Sequence, residues 1–384
     1  MAEVKELEKP QINNRLFGLD HLRALAIILV FVYHYGRLFP HPEWTNSISK
    51  FGWTGVDLFF VLSGYLIASQ LFAKIAQERK ISFKEFFLKR FFRIIPAYIV
   101  VVTTYFLFPS FREREALAPL WKYLTFTQNL GLDAVRQGTF SHAWSLCIEE
   151  QFYFFFPMIL ITLVYFKGIK KSYLLLILIF LFGFIVRLYA WHALVAPFAT
   201  DNDFWLHWSK WIYYPTYSRL DGLLTGVSIA AIFQFKPKLK ERIQKYGNLF
   251  LLASLLVLTG AYFLCVQEEK FYPSILGFPL VDFGYGLMVL SAISPSGFFY
   301  KFKSKITANI AALSYGAYLI HKIIIHITQE QFSKLNIENN SNLMFLICII
   351  TSLSAAFLLN KIIEKPFLKL RDNMLEQKPG IVAA

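Results

Sequence analysis

The sequence predicts an all-α, polytopic integral membrane protein with about ten transmembrane helices. Apolar residues make up 56% of the 384 residues and charged residues only 17%, whereas about a quarter of the residues in a soluble domain are charged. Apolar stretches of about 20 residues, the length at which a helix crosses a bilayer, recur along the whole chain. Phe is abundant throughout and suits contact with lipid. These observations exclude an ordinary soluble domain.

Ten apolar segments are predicted as membrane spans, separated by polar loops. The first follows a polar N-terminus that lacks the apolar core and cleavage site of a signal peptide, so we expect this span to remain in the mature protein. The third span is short, and the eighth contains Gly and Pro. The predicted spans are 17–39, 52–73, 94–110, 143–166, 172–190, 211–234, 247–266, 273–294, 308–328 and 342–362.

The net charge of +14 arises mainly from Lys and Arg residues in loops on the same side as the N-terminus. Positive residues concentrate in the cytoplasmic loops of membrane proteins, so this asymmetry predicts that both termini are cytoplasmic. Membrane topology therefore explains the charge without a nucleic-acid partner. Residues 74–93 alternate Phe with Lys and Arg, which is typical of an amphipathic helix on the inner surface. Residues 111–142 form a longer outer loop.

The whole chain is predicted to form one membrane domain in the lipid bilayer. No internal repeat, low-complexity linker or second soluble domain is visible. We divide the chain into a cytoplasmic tail at 1–16, a transmembrane domain at 17–370 and a cytoplasmic tail at 371–384. The three Cys residues are far apart in the sequence, so neither a disulfide framework nor a metal site is indicated.

The first predicted helix carries ionisable residues that are costly in hydrocarbon and therefore suggest a function. Arg23 and His34 are 11 residues apart, close to three whole turns, and so project from one face about 16 Å apart along the axis. A neutral imidazole can accept a proton. A lone His is more often a hydrogen-bonded packing residue, but a His above an Arg on one face favours a site. Asp20 lies on the same helix.

The second span contains Asp57 among glycine and apolar residues. Its carboxylate could hold His34 in one tautomer or pair with an Arg, and an interfacial position at the helix start is an equally simple explanation. Three glycines in this region would let helices approach closely. They are Gly52, Gly55 and Gly64.

Arg90 and Arg93 lie three residues apart, so a helix would bring them side by side. Paired guanidinium groups suit phosphate, which they bind through bidentate, charge-assisted hydrogen bonds. Ordinary topology-setting charge also explains the pair and, if the two residues are taken alone, is the explanation that we favour.

The fourth span begins SHAWSLCIEEQFY, with Glu149 and Glu150 adjacent at a membrane entry that also contains Tyr153. Neighbouring residues on a helix point about 100° apart, so the two carboxylates cannot serve the same partner. One could contact substrate or a base, and the other could pair with an Arg. Weaker single candidates are Arg219 and Asp221 in SRLDGLLTG, His321 in LSYGAYLIH and Glu364 in IEKPF.

These residues resemble the acyltransferase family 3 membrane proteins over nearly the whole chain. Seven features occur in the order typical of that family. They are Arg23 and His34 separated by ten residues, GVDLFFVLSGYLI at 55–67, the pair Arg90 and Arg93, WSLCIEEQFY at 144–153, SRLDGLLTG at 218–226, LSYGAYLIH at 313–321 and EKPF at 364–367. Two departures are His21, where many members have Gly, and a chain that ends without the SGNH hydrolase-like domain that some members append.

The resemblance implies a multi-pass protein of the cell inner (plasma) membrane that transfers an acyl group from acyl-CoA, typically acetyl-CoA, to a hydroxyl of a carbohydrate or other cell-surface glycan. It implies that His34 is the catalytic base. Glu150 and Asp57 are further catalytic candidates because of their positions in the predicted spans. It also implies that Arg23, Arg90 and Arg93 bind the donor. The remaining candidates form a substrate or structural polar network of Asp20, Glu149, Tyr153, Arg219, Asp221, His321 and Glu364.

Two other classes of function use similar residues. A proton-coupled transporter also places His, Glu, Asp and Arg in its membrane helices. Transporters often have paired halves or interrupted helices, and this sequence shows no convincing correspondence between halves. A scaffold or receptor that kept the fold would tolerate substitution of Arg90 and Arg93.

Overall fold

The computed structural model describes residues 16–168 and 172–376. In those residues the chain is helical and forms no β-strand, so the prediction of an all-α protein is confirmed. The α-helices are α1 (Phe17–Leu38), α2 (Thr45–Gly52), α3 (Gly55–Ala76), α4 (Phe83–Leu107), α5 (Leu120–Leu124), α6 (Trp144–Tyr165), α7 (Ser172–Ala190), α8 (Phe204–Trp208), α9 (Asp221–Phe235), α10 (Pro237–Lys245), α11 (Gly247–Leu264), α12 (Phe278–Ala292), α13 (Phe298–Lys301), α14 (Lys305–Ser333), α15 (Asn342–Leu359) and α16 (Lys365–Glu376).

Short turns of 3₁₀ or π geometry join several of these helices. The 3₁₀ turns are Pro109–Phe111, Ser141–Ala143, Ala196–Phe198 and Thr216–Ser218, and the π turns are Trp191–Val195, Ser209–Tyr213, Pro273–Gly277 and Asn360–Glu364.

Eight helical segments in the described part of the chain are long and apolar enough to cross a bilayer. Each coincides with one of the ten predicted spans. The other two predicted spans also form helices: α4 has a charged beginning, and α9 is a shorter apolar helix of 15 residues. The polytopic membrane architecture predicted from hydropathy is therefore confirmed.

The segment 74–93, predicted as an amphipathic helix, contains the end of α3 and the beginning of α4. After α3 ends, a short turn leads to Ser82, whose hydroxyl caps α4 by accepting the backbone N–H of Glu85 at 3.2 Å. Phe86 and Phe92 are buried against the rest of the molecule. Most of the segment consequently forms the first turns of a continuous α4, because its aromatic face packs on the helical core.

The span predicted at 211–234 also begins later than expected. Its first part forms the π turn at Ser209–Tyr213 and the 3₁₀ turn at Thr216–Ser218, and α9 starts only at Asp221. Pro215 between these turns has no N–H to continue a helix. Most of the predicted tails, at 1–15 and 377–384, lies outside the described residues, as do loop residues 169–171. The first residues of the predicted C-terminal tail, 371–376, form the end of α16.

Close helix contacts occur where the sequence has the glycines of the second span. A Cβ atom placed on Gly64 would lie 2.1 Å from the carbonyl oxygen of Leu223 in α9, and Cβ atoms on Gly52 and Gly55 would meet the backbone of α1 at under 2.8 Å. The expectation of close approach at these glycines is confirmed. α3 is therefore pressed against both α1 and α9, at the centre of the bundle.

Gly64→Ala is expected to destabilise the folded protein by about 1–3 kcal/mol or more, because the added methyl group meets rigid backbone instead of a flexible side chain. Thermal unfolding of the purified protein in detergent measures the effect. Gly260→Ala is the matched control, since a Cβ at Gly260 has no neighbour within 4 Å. Equal melting temperatures for the two variants would contradict this account of the α3–α9 contact.

Candidate active site

One cavity lies between the beginnings of α1 and α4, the end of α3 and parts of α6 and α14, and its volume is about 230 Å³. We call it the arginine cavity because three guanidinium groups line it. Arg23 belongs to α1, and the other two arginines, Arg90 and Arg93, belong to α4. All three guanidinium groups therefore meet near the beginnings of these two helices. The polar residues of the lining are Arg23, Ser63, Gln70, Arg90, Arg93, Ser145, Glu149, Tyr153, Ser314, Tyr315 and Tyr318.

The arginine cavity has more positive charge than its own carboxylates neutralise. Arg93 donates to Glu364 at 3.3 Å, but neither Arg23 nor Arg90 has an ion pair within 4 Å in the described residues. The Arg90 guanidinium instead lies 5.4 Å from the ring centre of Tyr153. Unneutralised guanidinium groups in a partly enclosed space attract anions, and phosphate matches their geometry.

The two adjacent glutamates of α6 separate as the helical geometry requires. Glu149 lines the arginine cavity and accepts the hydroxyl of Tyr153 at 2.7 Å. Glu150 lines neither this cavity nor the second one described below. Its grouping with His34 as a catalytic candidate therefore has no support in the geometry.

A second cavity, of about 280 Å³, lies beyond the first along α1. We call it the histidine cavity because His34 and His142 line it. Aromatic and charged side chains form most of the remaining wall. These residues are Tyr33, Arg37, Trp53, Arg114, Trp144, Trp205, Tyr213, Tyr214, Glu268 and Lys322.

Three imidazole rings meet at this cavity, and their hydrogen bonds assign the protons. His321 contacts the backbone carbonyl of Tyr318 through Nδ1 at 2.9 Å, so Nδ1 must be the donor. In the neutral ring Nε2 is then an acceptor, and it lies 3.0 Å from Nδ1 of His34. His34 therefore donates through Nδ1 and keeps its Nε2 lone pair available. This is the tautomer that a base acting through Nε2 requires.

His142 completes the cluster. Its Nε2 donates to the same Tyr318 carbonyl at 3.1 Å. Its ring centre lies 5.6 Å from that of His34 and 5.0 Å from that of His321. Nδ1 of His142 is buried and has no hydrogen-bond partner in the described residues. It is a second imidazole lone pair at the histidine cavity.

A buried ion pair fixes α14 next to these rings. Lys322 donates to Glu113 at 2.7 Å, and both side chains are almost completely buried. Burial alone would raise the pKa of Glu113, but the Lys322 ammonium and the hydrogen bonds at its carboxylate outweigh it, so the pKa lies below its ordinary value. The outer segment 111–142, predicted only as a loop, thus supplies the counter-ion of a lysine in α14.

A thin wall separates the two cavities. The Tyr318 hydroxyl donates to the backbone carbonyl of His142 at 2.6 Å and accepts the hydroxyl of Ser145 at 2.6 Å. Tyr318 and Ser145 line the arginine cavity, whereas His142 lines the histidine cavity. Arg23 and His34, which their spacing places on one face of α1, consequently open into two adjacent cavities.

Two further pairs of intramembrane charges hold helices together. Asp57 accepts Arg219 at 2.5 Å and does not contact His34, so the Arg pairing is the correct one of the two roles considered for it. Arg187 pairs with Asp221 in the same way. The Arg219 guanidinium lies 4.1 Å from the ring centre of Phe278 and also faces the walls of the histidine cavity. Paired charges of this kind are the form that membrane interiors tolerate.

Several side chains at the two cavities were not assigned from the sequence. Tyr318 and Lys322 stand within or next to the segment LSYGAYLIH, where only His321 was singled out. His142 is the histidine of SHAWSLCIEEQFY and precedes the two glutamates. Glu113 and Glu268 lie in loops, where hydropathy carries no positional signal. Within the described ranges no group of His, Cys, Asp or Glu side chains is arranged to hold a metal ion.

Comparison with known proteins identifies the family of the chain. The family model described as an acyltransferase domain matches residues 16–361. The chain is 31% identical over 341 residues to the O-acetyltransferase OatA of Staphylococcus aureus, strains NCTC 8325 / PS 47 and MRSA252, and the match covers 84% of this chain. It covers 53% of OatA, so the chain spans about half the length of these curated relatives. No solved structure matches the chain. Since the family model covers both cavities and nearly all the helices, the chain belongs to acyltransferase family 3.

Proposed function

We propose that this protein is an integral-membrane O-acyltransferase that moves an acyl group, most simply acetyl, from acyl-CoA to a hydroxyl of a carbohydrate or related cell-surface acceptor. The observation that carries the proposal is the pair of adjacent cavities. One presents unneutralised guanidinium groups, and the other presents an imidazole whose proton is held on Nδ1. The names of the relatives, O-acetyltransferases, support the same reaction type.

The arginine cavity is proposed to bind the donor. Acyl-CoA carries three phosphates at the end opposite its thioester, and these fit the guanidinium groups of Arg23, Arg90 and Arg93. Gln70 lies beside Arg90 at 3.5 Å and adds a polar group at the cavity mouth. The pantetheine arm would then extend along α1 toward His34.

The transfer step follows from the tautomer of His34. The acceptor hydroxyl attacks the thioester carbonyl carbon while Nε2 of His34 takes the hydroxyl proton. The carbon–sulfur bond then breaks, the acyl group stays on the acceptor oxygen, and CoA leaves as the thiolate. The imidazolium returns its proton to that sulfur, so charge and atoms balance. Throughout the reaction, Nε2 of His321 accepts a hydrogen bond from the Nδ1–H group of His34.

Transfer between the cavities requires the wall at Tyr318 to open. The phenol is held by two hydrogen bonds, to His142 and from Ser145. Rotation of the Tyr318 side chain would connect the cavities and leave its backbone carbonyl in place, so His142 and His321 would keep their orientation.

The proposed location is the inner (plasma) membrane, with the tails at 1–16 and 371–384 in the cytoplasm and the domain at 17–370 in the bilayer. The support is the concentration of Lys and Arg in loops on the N-terminal side. In this orientation the arginine cavity faces cytoplasmic acyl-CoA, and the histidine cavity faces the outer side, where surface glycans are found.

The test uses the full chain reconstituted in proteoliposomes with radiolabelled acetyl-CoA. We expect CoA thiol release that depends on protein, and label transferred to a glycan acceptor supplied on the opposite side. Mass spectrometry of surface glycans from cells with and without the active protein identifies the natural acceptor. Movement of a solute without thioester cleavage would instead indicate a proton-coupled transporter.

His321→Phe is expected to lower kcat for acetyl transfer about 10–100-fold, because it removes the acceptor that holds the His34 proton on Nδ1. The KM for acetyl-CoA should stay within about twofold, since His321 lies outside the arginine cavity. Steady-state kinetics of the reconstituted protein measure both values.

His321→Gln separates positioning from simple packing. The Gln amide can offer an oxygen close to the place of the His321 Nε2, so this variant should recover a large part of the lost kcat. A loss of equal size in both variants, or a loss that appears only in KM, would show that His321 does not act through His34.

A further inference from the structure

Glu268 lies in the short connection between α11 and the turn before α12 and contributes a carboxylate to the histidine cavity. Its side chain is 12% exposed. Of the described residues that line this cavity, Glu268 is the single acidic one, and His34 is part of the same lining. A carboxylate at this place is unusual among the aromatic side chains around it.

The Glu268 carboxylate is not satisfied by the protein. Oε1 lies 4.0 Å from Nη2 of Arg37, which is beyond hydrogen-bond distance. Oε2 is buried and has no hydrogen-bond partner within the described chain. A buried polar atom without a hydrogen-bond partner destabilises the folded protein, and a charged one does so more strongly, so such an atom requires an explanation. A bound ligand that donates to Oε2 supplies one.

Two other unpartnered polar atoms belong to lining residues of the same cavity. Nδ1 of His142 is an acceptor, because the opposite ring nitrogen donates to a carbonyl, and Nε1 of Trp53 is a donor. A ligand that satisfies all of these atoms must both donate and accept hydrogen bonds. A sugar ring does so with its hydroxyl groups, and aromatic side chains such as Trp205 can cover its apolar face.

The electrostatic setting of Glu268 agrees with a ligand that donates. Burial raises the pKa of Glu268 to about 7, while Arg37 opposes this rise and Glu269 adds to it. The carboxyl group therefore ionises close to neutral pH. A hydrogen bond from a ligand hydroxyl to the Glu268 carboxylate stabilises the ionised form of this group.

We infer that Glu268 binds a second hydroxyl of the acceptor, and so determines which hydroxyl of the sugar reaches His34. The inference rests on the proposed acyl transfer and adds the residue that selects the acceptor. Glu268 takes no part in proton transfer. Arg37, whose side chain is about half exposed, lies beside the carboxylate and leaves its oxygens free for the acceptor.

The experiment removes the Glu268 carboxylate from the protein and, separately, one hydroxyl group from the sugar. Proteoliposomes containing the full chain receive acetyl-CoA and either methyl α-D-glucopyranoside or one of its monodeoxy analogues. In the wild type, one analogue should lose about tenfold or more in kcat/KM relative to the parent glycoside, since a charge-assisted hydrogen bond is missing. In Glu268→Ala the parent and that analogue should become equal within about twofold.

Glu269→Gln is the matched control, because Glu269 is the neighbouring carboxylate and does not line the cavity. It should keep the wild-type discrimination. The KM for acetyl-CoA should be unchanged in both variants, which also shows that they are folded. Full discrimination in Glu268→Ala, or none in the wild type, overturns the inference.

Two further outcomes separate this inference from the proposed function. If the wild type cleaves acetyl-CoA but acetylates none of the glycosides, the assignment of Glu268 to a sugar hydroxyl is wrong and the donor half of the function stands. If the wild type leaves acetyl-CoA intact, the proposed acyl transfer itself fails, and the inference that rests on it fails too.

Discussion

His34→Ala is expected to reduce acetyl transfer by about 10²–10⁴-fold, the contribution of a well-placed general base, and to leave CoA binding within about twofold of the wild type. The reason is that the imidazole of His34 has a free Nε2 that can take the acceptor proton, while the guanidinium groups proposed to bind phosphate lie in the other cavity. Transfer is measured with radiolabelled acetyl-CoA, and binding with immobilised protein and CoA.

His326→Ala is a suitable control. His326 lies on α14, little more than one turn beyond His321, but it lines neither cavity. This variant should transfer acetyl groups at the wild-type rate. The base role of His34 is wrong if His34→Ala loses CoA binding in parallel with transfer, or if it retains more than about a tenth of wild-type kcat.

The fold was largely predictable because a bilayer leaves few choices. A segment of about 20 apolar residues without internal polar groups can satisfy its backbone in lipid only as a helix, and each of the ten predicted spans contains a helix. Helix boundaries were less predictable. The helix of the span predicted from residue 211 begins only at Asp221, because turns around Pro215 precede it.

The positions of Arg23 and His34 were predictable to the extent that one helix determines them. The 3.6-residue period placed both side chains on one face of α1. It could not reveal that a wall stands between them, since Tyr318 and Ser145 come from α14 and α6 and meet only after packing. The helical period predicts the direction in which the side chains of one helix project. It does not predict which side chains of other helices pack between them.

Pairs that join distant parts of the chain explain the remaining gaps. Asp57 had two equally reasonable partners until Arg219, 162 residues later, was found beside it. The contact between His34 and His321 spans 287 residues. Glu268 gave no sequence signal at all, because a loop carboxylate is ordinary until its neighbours show that its oxygen is buried and unpaired.

Arg90→Ala combined with Arg93→Ala should weaken CoA binding roughly 100-fold, because each lost charge-assisted contact to phosphate contributes more than about 1 kcal/mol. With saturating donor, kcat should fall much less, since neither guanidinium reaches the histidine cavity. Binding is measured by titration of the detergent-solubilised protein with CoA and, in parallel, with 3′-dephospho-CoA.

The comparison of the two ligands is the sharper part of this test. If the arginines hold phosphate, the wild type binds CoA more tightly than 3′-dephospho-CoA, and this difference shrinks in the double variant. Lys89→Ala is the control, because Lys89 adjoins Arg90 but pairs with Glu85 outside the cavity. Within the described residues, Arg90→Ala alone breaks no ion pair, whereas loss of Arg93 also frees Glu364. A decrease in CoA affinity in both the single and the double variant therefore excludes a purely structural effect. Unchanged CoA affinity in the double variant would remove both arginines from the phosphate site and leave Arg23 as its remaining guanidinium.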